Sequence, residues 1–291
     1  MLFSAPNNDD TTKRLRSARC SSKTDRDYTM HPMLNTAIQA ARAAGHIILR
    51  YSNQVETISV ESKNRNDFVT EIDREAEKEI IHKLRRAYPE HGFLGEESGK
   101  SGEDSKYQWI IDPLDGTTNY LYGIPHYAIS IALKVDGKLD QAVVYDPLKE
   151  ELFTASKGGG AHLNNHRIRA SARRSMTNAL LGTGIPFRED QDINAWLAEL
   201  EKLRADTAGI RRLGVASLDL AYIACGRLDG FWESGLKPWD FAAGALLIQE
   251  AGGLISDFTD HQGFWRSGNI VAGNPKVHAE MIKRIGAINS T

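Results

Sequence analysis

The sequence predicts an α/β protein with a large buried core. Two observations predict it. After Pro32, segments with apolar residues at helical spacing alternate with short β-branched runs, which argues for helices laid on sheets. The chain also has 291 residues, 41% hydrophobic and 25% charged, enough to bury such a core as one bilobal unit.

The elements follow in chain order. Residues 1–29 are rich in Ser, Thr, Asp, Asn, Lys and Arg and lack the apolar run of a secretory signal, so they are expected to be disordered. Leu34 to Tyr51 places Leu34, Ala37, Ile38, Ala41, Ala44 and Ile48 at helical spacing and is an amphipathic helix. Ile72 to Tyr88 is a second, in which Arg74, Lys78, Lys83, Arg85 and Arg86 interleave with Glu75, Glu77 and Glu79 on an expected solvated face. Strands are expected at Tyr127 to Val135, Leu139 to Asp146 and Glu151 to Ala155, the last two as a hairpin around Pro147. Gly158-Gly159-Gly160 lacks the lysine pattern of a phosphate loop and reads as a turn before Ala161-His162-Leu163. Beyond it, helical segments (Ile193 to Leu203, Ser217 to Cys225, Asp240 to Ala251, Val277 to Ile285) alternate with strand-like ones at Leu180, Gly230, Leu254 and Ile270.

Chemistry concentrates at Trp109-Ile110-Ile111-Asp112-Pro113-Leu114-Asp115-Gly116-Thr117-Thr118-Asn119. The apolar run fits a buried strand, and Pro113, with no N–H to give a ladder, is expected to stop it. Asp112 and Asp115 then sit on the turn leaving the strand, spaced to share a hard cation such as Mg²⁺, with the Leu114 carbonyl as a third oxygen. Gly116 lets the chain approach a ligand, and the Gly116 and Thr117 N–H groups open a helix start, where free donors attract phosphate. Alone, the stretch is equally compatible with an Asx-turn and a helix N-cap.

Two further acidic segments add to it. Gly95-Glu96-Glu97-Ser98 follows Phe93-Leu94, so Glu96 lies at a strand end, near Asp112 if the two strands pair. Pro238-Trp239-Asp240-Phe241 places Asp240 at the head of an Ala/Leu/Ile-rich helix, where a first-turn carboxylate also suits the helix dipole. Ser98, Ser217 and Ser234 stand in no Gly-x-Ser-x-Gly elbow, and the nine His form no His-Glu-x-x-His pattern.

With these three motifs in order, the chain from about Met30 to its C-terminus resembles the inositol monophosphatase family, in particular its bacterial SuhB-type branch. The resemblance implies a layered α-β-α-β-α sugar-phosphatase fold, with an α+β lobe over residues 30–165 and an α/β lobe over residues 166–291, the metals lying between them. It implies that Glu96, Asp112 and the Leu114 carbonyl hold a first Mg²⁺ and that Asp112, Asp115 and Asp240 hold a second, with a weaker third ion on Glu96. It implies direct attack on phosphorus by a metal-activated water, with catalytic roles for Glu96, Thr117 and its partner Asp73. Phosphate would rest on Gly116 and Thr117, and the inositol ring on Ala216 and Glu233, with Val215 standing where animal members carry a hydroxyl residue. Lys63 and Arg65 would fall in a loop that closes over the metals.

The implied reaction is Mg²⁺-dependent hydrolysis of inositol 1-phosphate. Related folds act on fructose 1,6-bisphosphate, 3′-phosphonucleotides or histidinol phosphate, and Glu233 favours the inositol ester. The branch is also associated with RNA polymerase and NusA in antitermination, for which Arg211-Arg212 is a basic pair on offer. A homodimer is implied as well. A net charge of −2 gives no global pull toward nucleic acid or membrane. Of two cysteines, Cys225 reads as a small buried residue in a reducing, cytoplasmic setting.

Overall fold

Helices with an apolar stripe lie on the outside of this protein, and helices apolar all round lie in its middle. The computed structural model describes residues 30–52, 60–64, 67–102, 104–188, 191–259 and 261–286. The extension, residues 1–29, and Arg65 lie outside the described residues. α1 (Pro32–Tyr51) starts on Pro32, where a missing N–H costs nothing, and buries the stripe from Leu34 to Ile48. An antiparallel pair, β1 (Val60–Asn64) and β2 (Asp67–Thr70), leads into α2 (Glu71–Ala87), which buries Ile72, Ala76, Ile80 and Leu84. Glu77, expected on the solvated face, is instead 2% exposed. It falls on the same stripe as Asp73, Ile80 and Leu84, so helical periodicity turns it inward.

The first sheet is built from β3 (Gly92–Gly95), β4 (Gly99–Ser101) and β5 (Tyr107–Asp115), then, after the short α3 (Thr117–Leu121), from β6 (Ala128–Val135), β7 (Lys138–Asp146), β8 (Glu151–Ser156), β9 (Gly160–Leu163) and β10 (His166–Arg167). Its eight strands run in the order β10-β9-β8-β7-β6-β5-β3-β4, antiparallel except where β3 pairs with β5. Pro113 does not end β5, as it was expected to. The strand continues to Asp115 through an irregularity, because Asp112 pairs with Ser130 and Asp115 with Ala128, leaving one extra residue on the β5 side. A bulge is where a proline is tolerated inside a ladder.

The second sheet takes β11 (Leu180–Thr183), then α4 (Ile193–Arg204), β12 (Gly209–Arg211), α5 (Ala216–Ala224), β13 (Gly230–Glu233), α6 (Pro238–Glu250), β14 (Leu254–Ser256), α7 (Phe264–Ser267), β15 (Ile270–Gly273) and α8 (Pro275–Gly286). Its five strands run β12-β11-β13-β15-β14, with β12, β11 and β13 parallel. α6 begins two residues before Asp240, at Pro238, for the same reason that α1 begins on Pro32.

α1 and α2 cover one face of the first sheet, and α5 and α6 fill the space between the two sheets. One apolar cluster joins Ile110, Ala132 and Val144 of the first sheet through Leu220, Phe241 and Leu247 to Phe231 and Ala272 of the second. α4 and α8 close the far side, around Leu181, Trp232, Val271 and Met281. The layers are therefore α-β-α-β-α. Cys225 is only half-buried, at the end of α5. The Gly158–Gly160 turn does grip an anion: its Gly158 and Gly160 N–H groups donate to the Glu250 carboxylate of α6 at 2.7 and 2.8 Å.

Candidate active site

The bulge that ends β5 aims its carboxylates out of the sheet toward the helices of the middle layer. Asp112 is 2% exposed and accepts the Leu114 N–H at 3.0 Å, an Asx-type contact that sets the turn. Asp115 accepts the Ser217 N–H at 2.7 Å, so it caps α5, whose own N-cap, Val215, has no side-chain acceptor. Between this turn and α3 stands Gly116 at φ 95°, where a Cβ would come within 2.8 Å of Val215. The Thr117 hydroxyl lies 3.0 Å from both Asp73 Oδ1 and the Leu114 carbonyl. Asp73, buried behind it, also completes the capping box that starts α2: its Oδ2 accepts the Thr70 N–H at 2.8 Å and the Thr70 hydroxyl.

Glu96 reaches the same place by strand register. β3 pairs with β5 so that Gly95 faces Ile111, and the Glu96 N–H donates to the Ile111 carbonyl at 3.1 Å, one residue before Asp112. The turn carrying Glu96 is held from below by Glu77, which accepts the Glu97 and Ser98 N–H groups at 2.9 and 2.8 Å. Gly95 makes room for it, since a Cβ there would lie 2.5 Å from the Glu77 carboxylate. Asp240, in the first turn of α6, accepts the Lys237 N–H at 2.7 Å.

The four carboxylates disturb one another. Burial, then Glu96, Asp115 and Asp240, hold the Asp112 carboxyl well above the usual range. Burial, then Asp115 and Glu96, do the same to Asp240. Asp115 rises only to about 6, because Ser217 and Arg212 oppose its burial. Buried acids that raise each other's pKa in this way are matched by a divalent cation, and an all-oxygen set with a backbone carbonyl suits Mg²⁺. The donor chemistry fits. Among the described residues no group of three or more His, Cys, Asp or Glu side chains is drawn together around a single point.

The sequence profile of the inositol monophosphatase family matches residues 29–289. The chain belongs to that family. It is 54% identical to the Nus factor SuhB of Pseudomonas aeruginosa over 261 residues, which cover 88% of this chain and 96% of that protein. It is 50% identical to the Nus factor SuhB of Escherichia coli over 254 residues, 87% of this chain and 95% of that one. Among solved structures it resembles the extragenic suppressor protein suhB of Bartonella henselae with a TM-score of 0.85 and 44% identity, over 88% of this chain and 98% of that one. The inositol monophosphatase of Anabaena superposes with a TM-score of 0.78 and 38% identity, over 87% and 95%.

In this member of the family one cleft of about 530 Å³ is lined by Glu96, Asp112, Leu114, Asp115, Gly116, Thr117, Ala216, Glu233 and Asp240. Among the catalytic, metal and substrate residues named from the sequence, Asp73 alone does not line it; it touches the cleft through the hydrogen bond it accepts from the Thr117 hydroxyl. Glu233 ends β13, and burial with Asp115 lifts its carboxyl to about 7 against the pull of Arg212 and Arg188. Gly184 faces it so closely that a Cβ would fall 2.0 Å from its carboxylate. Arg211 and Arg212 part company: Arg212 lines this cleft, while Arg211 lines a shallow depression with Arg173 and Arg227, near the starts of β11 and β13.

Sequence reasoning missed Glu77, Arg188 and Asp219. Glu77 was findable, since its stripe position was visible. Asp219 lies inside an otherwise apolar helix, and burial, then Glu233 and Asp115, push its carboxyl well above the usual range. That isolation was its signal. No described helix is long and apolar enough to cross a membrane.

Proposed function

We propose that the chain is a Mg²⁺-dependent phosphomonoesterase and that inositol 1-phosphate is its substrate. One observation carries this: a single cleft joins four mutually repelling carboxylates, the donor end of α3 and a separate carboxylate, Glu233. Glu96, Asp112, Asp115, Asp240 and the Leu114 carbonyl would hold two to three Mg²⁺ ions, which would neutralise the incoming phosphate and acidify water beside it. The rest falls to the chain itself. N–H groups in the first turn of α3 have no carbonyl ahead of them in the helix, and they point partial positive charge at a phosphate on Gly116 and Thr117.

The Thr117 hydroxyl donates to Asp73, so as water attacks phosphorus the Thr117 oxygen would take the water's proton while its own hydroxyl proton passes to the Asp73 carboxylate. Burial raises the Asp73 carboxyl above its ordinary value, which favours proton acceptance. Glu233 accepts hydroxyl hydrogen bonds from the polyol, with the Ala216 backbone beside the ring. The family resemblance also carries a homodimer and a cytoplasmic location.

A substrate panel scored by turnover with Mg²⁺ tests the reading. Inositol 1-phosphate should lead it, and Asp112→Asn or Asp240→Asn should remove nearly all turnover while the fold remains. Wild-type rates in either purified variant would falsify the assignment.

The names of the SuhB relatives favour a second reading alongside the first, as a Nus factor that contacts RNA polymerase or NusA. Retention of polymerase in a pull-down with Asp112→Asn would separate that role from catalysis, and its loss would tie the two together.

A further inference from the structure

Asp219 is the one acid of the cleft to which the proposed chemistry gives no task. It lines the cleft together with Glu233 and the four clustered carboxylates. Only 1% of its surface is exposed, so it lies in the floor and not at the rim. Its Oδ1 is buried without a hydrogen-bond partner among the described residues. Nor does α5 need it as a cap. Asp115 already accepts the Ser217 N–H, and the Asp219 N–H itself donates to the Val215 carbonyl at 3.0 Å. Its buried neighbours along α5, Leu218, Leu220 and Ala221, offer it no side-chain donor. A carboxyl oxygen left unpaired in such surroundings lowers stability, and a donor arriving from the cleft removes that penalty.

Two glycines place Asp219 beside Glu233. Gly182 and Gly184 lie two positions apart at the end of β11, and strand register sets Phe231 beside Gly182 and carries Glu233 up to Gly184. A Cβ on Gly182 would stand 3.3 Å from Asp219 Oδ1, just as one on Gly184 would meet the Glu233 carboxylate. Positions two apart on a strand are separated by about 6.6 Å and point to the same side. Two acids seated against them share one wall, at a spacing too wide for a direct hydrogen bond. Glu233 and Asp115 oppose a charge on Asp219, and Arg212 relieves it. Acceptors spaced in this way fit neighbouring hydroxyls of one polyol, each hydroxyl donating to one acid, and an alcohol without those hydroxyls leaves Asp219 unpaired.

We propose that Asp219 is a second polyol-recognising acid, which with Glu233 accepts hydrogen bonds from two neighbouring hydroxyls of the alcohol, so that the cleft selects phosphomonoesters of vicinal polyols over those of alcohols with no further hydroxyl. The inference rests on the phosphatase reading and deepens it: specificity for the alcohol is divided between β13 and the first turn of α5.

Two measurements test it on the full chain. With Mg²⁺, kcat/KM is compared for inositol 1-phosphate and cyclohexyl phosphate, the same ring without its other hydroxyls, in the wild type, Asp219→Leu and Asp219→Asn. The leucine variant should lose at least tenfold more on the inositol ester than on the cyclohexyl ester, through KM. The asparagine variant keeps an acceptor oxygen and should retain more of the preference than leucine. Equal losses on both esters, no loss on either, or the reverse order of the two variants overturns the proposal. Melting curves give the second readout. Leucine replaces a buried, unpaired acid, so Asp219→Leu should melt at or above the wild-type temperature; a fall of many degrees would show that Asp219 holds α5 in place and would overturn the proposal as well. A wild type that hydrolyses neither ester sinks the phosphatase reading and this inference with it, whereas a wild type that hydrolyses both, with variants that do not discriminate, sinks the inference alone.

Discussion

Replacing Glu77 with Ala should loosen the metal site from below without touching any group proposed to bind metal. The substitution frees the N–H groups of Glu97 and Ser98, each now bonded to one oxygen of the same carboxylate. Hydrogen bonds to a charged acceptor are each worth about 1.5–3 kcal/mol. The turn is reachable by water, which can replace part of what is lost, so the low end applies and the two together come to about 3 kcal/mol. In a protein of this size each kcal/mol moves the melting point by roughly 2–4 °C, which predicts a fall of about 6–12 °C. Glu96 rides on the same turn, and groups that orient a metal ligand typically set affinity by about 10–100-fold. The Mg²⁺ concentration for half-maximal turnover should therefore rise at least tenfold, with kcat at saturating Mg²⁺ changing less. Glu77→Gln keeps one acceptor and should fall between. Melting curves and a Mg²⁺ titration of turnover decide it: a Glu77→Ala protein that melts within a degree or two of wild type and needs no more Mg²⁺ refutes the reasoning.

Three further outcomes follow from the same geometry. Metal-free Asp112→Asn should melt at or above the wild-type temperature, because it removes one of several acids that repel each other; a drop of many degrees would mean the carboxylate is structural first. Gly184→Ala must displace Glu233, and it should raise KM for inositol 1-phosphate severalfold while a simple aryl phosphate, with no hydroxyls to recognise, is turned over as before. Loss of both activities together would show that Gly184 supports the whole cleft. Glu199, on the buried face of α4, has its carboxyl lifted by burial to about 7. Its folded pKa exceeds its unfolded one, so its contribution is complete below about 4.5 and is lost as pH rises through 7. Glu199→Gln should thus gain stability over wild type between pH 5 and pH 8, read from urea midpoints, and a gap that shrinks over that range contradicts the assignment.

Much of this architecture was legible because it is local. The stripe of α1, the strand–turn–helix at Trp109 to Asn119 and the meander around Pro147 are each written within a few residues. Pro113 misled because proline is read as a stop, and only the pairing of β5 with β6 shows that a bulge absorbs it. The site was legible as a list of acids and not as a place. Asp115 meets Ser217 across 102 positions, and Arg188 meets the Gly235 carbonyl across 47, contacts that no local pattern encodes. Glu77 was visible but misassigned, since its charged neighbours suggested water when its helical phase pointed to the core.

Three of the aspartates in and behind the cleft also close the N-terminus of a helix: Asp73 for α2, Asp115 for α5 and Asp240 for α6. A lineage of this fold that kept only a binding role would still need an acceptor oxygen at each of those positions to cap its helices. Their survival in a descendant would then testify to architecture, and an intact acidic motif in a relative named a Nus factor says little about whether that relative turns over an ester. Only substitutions that separate capping from charge, such as an asparagine that keeps the acceptor oxygen, can tell an enzyme from its inherited frame.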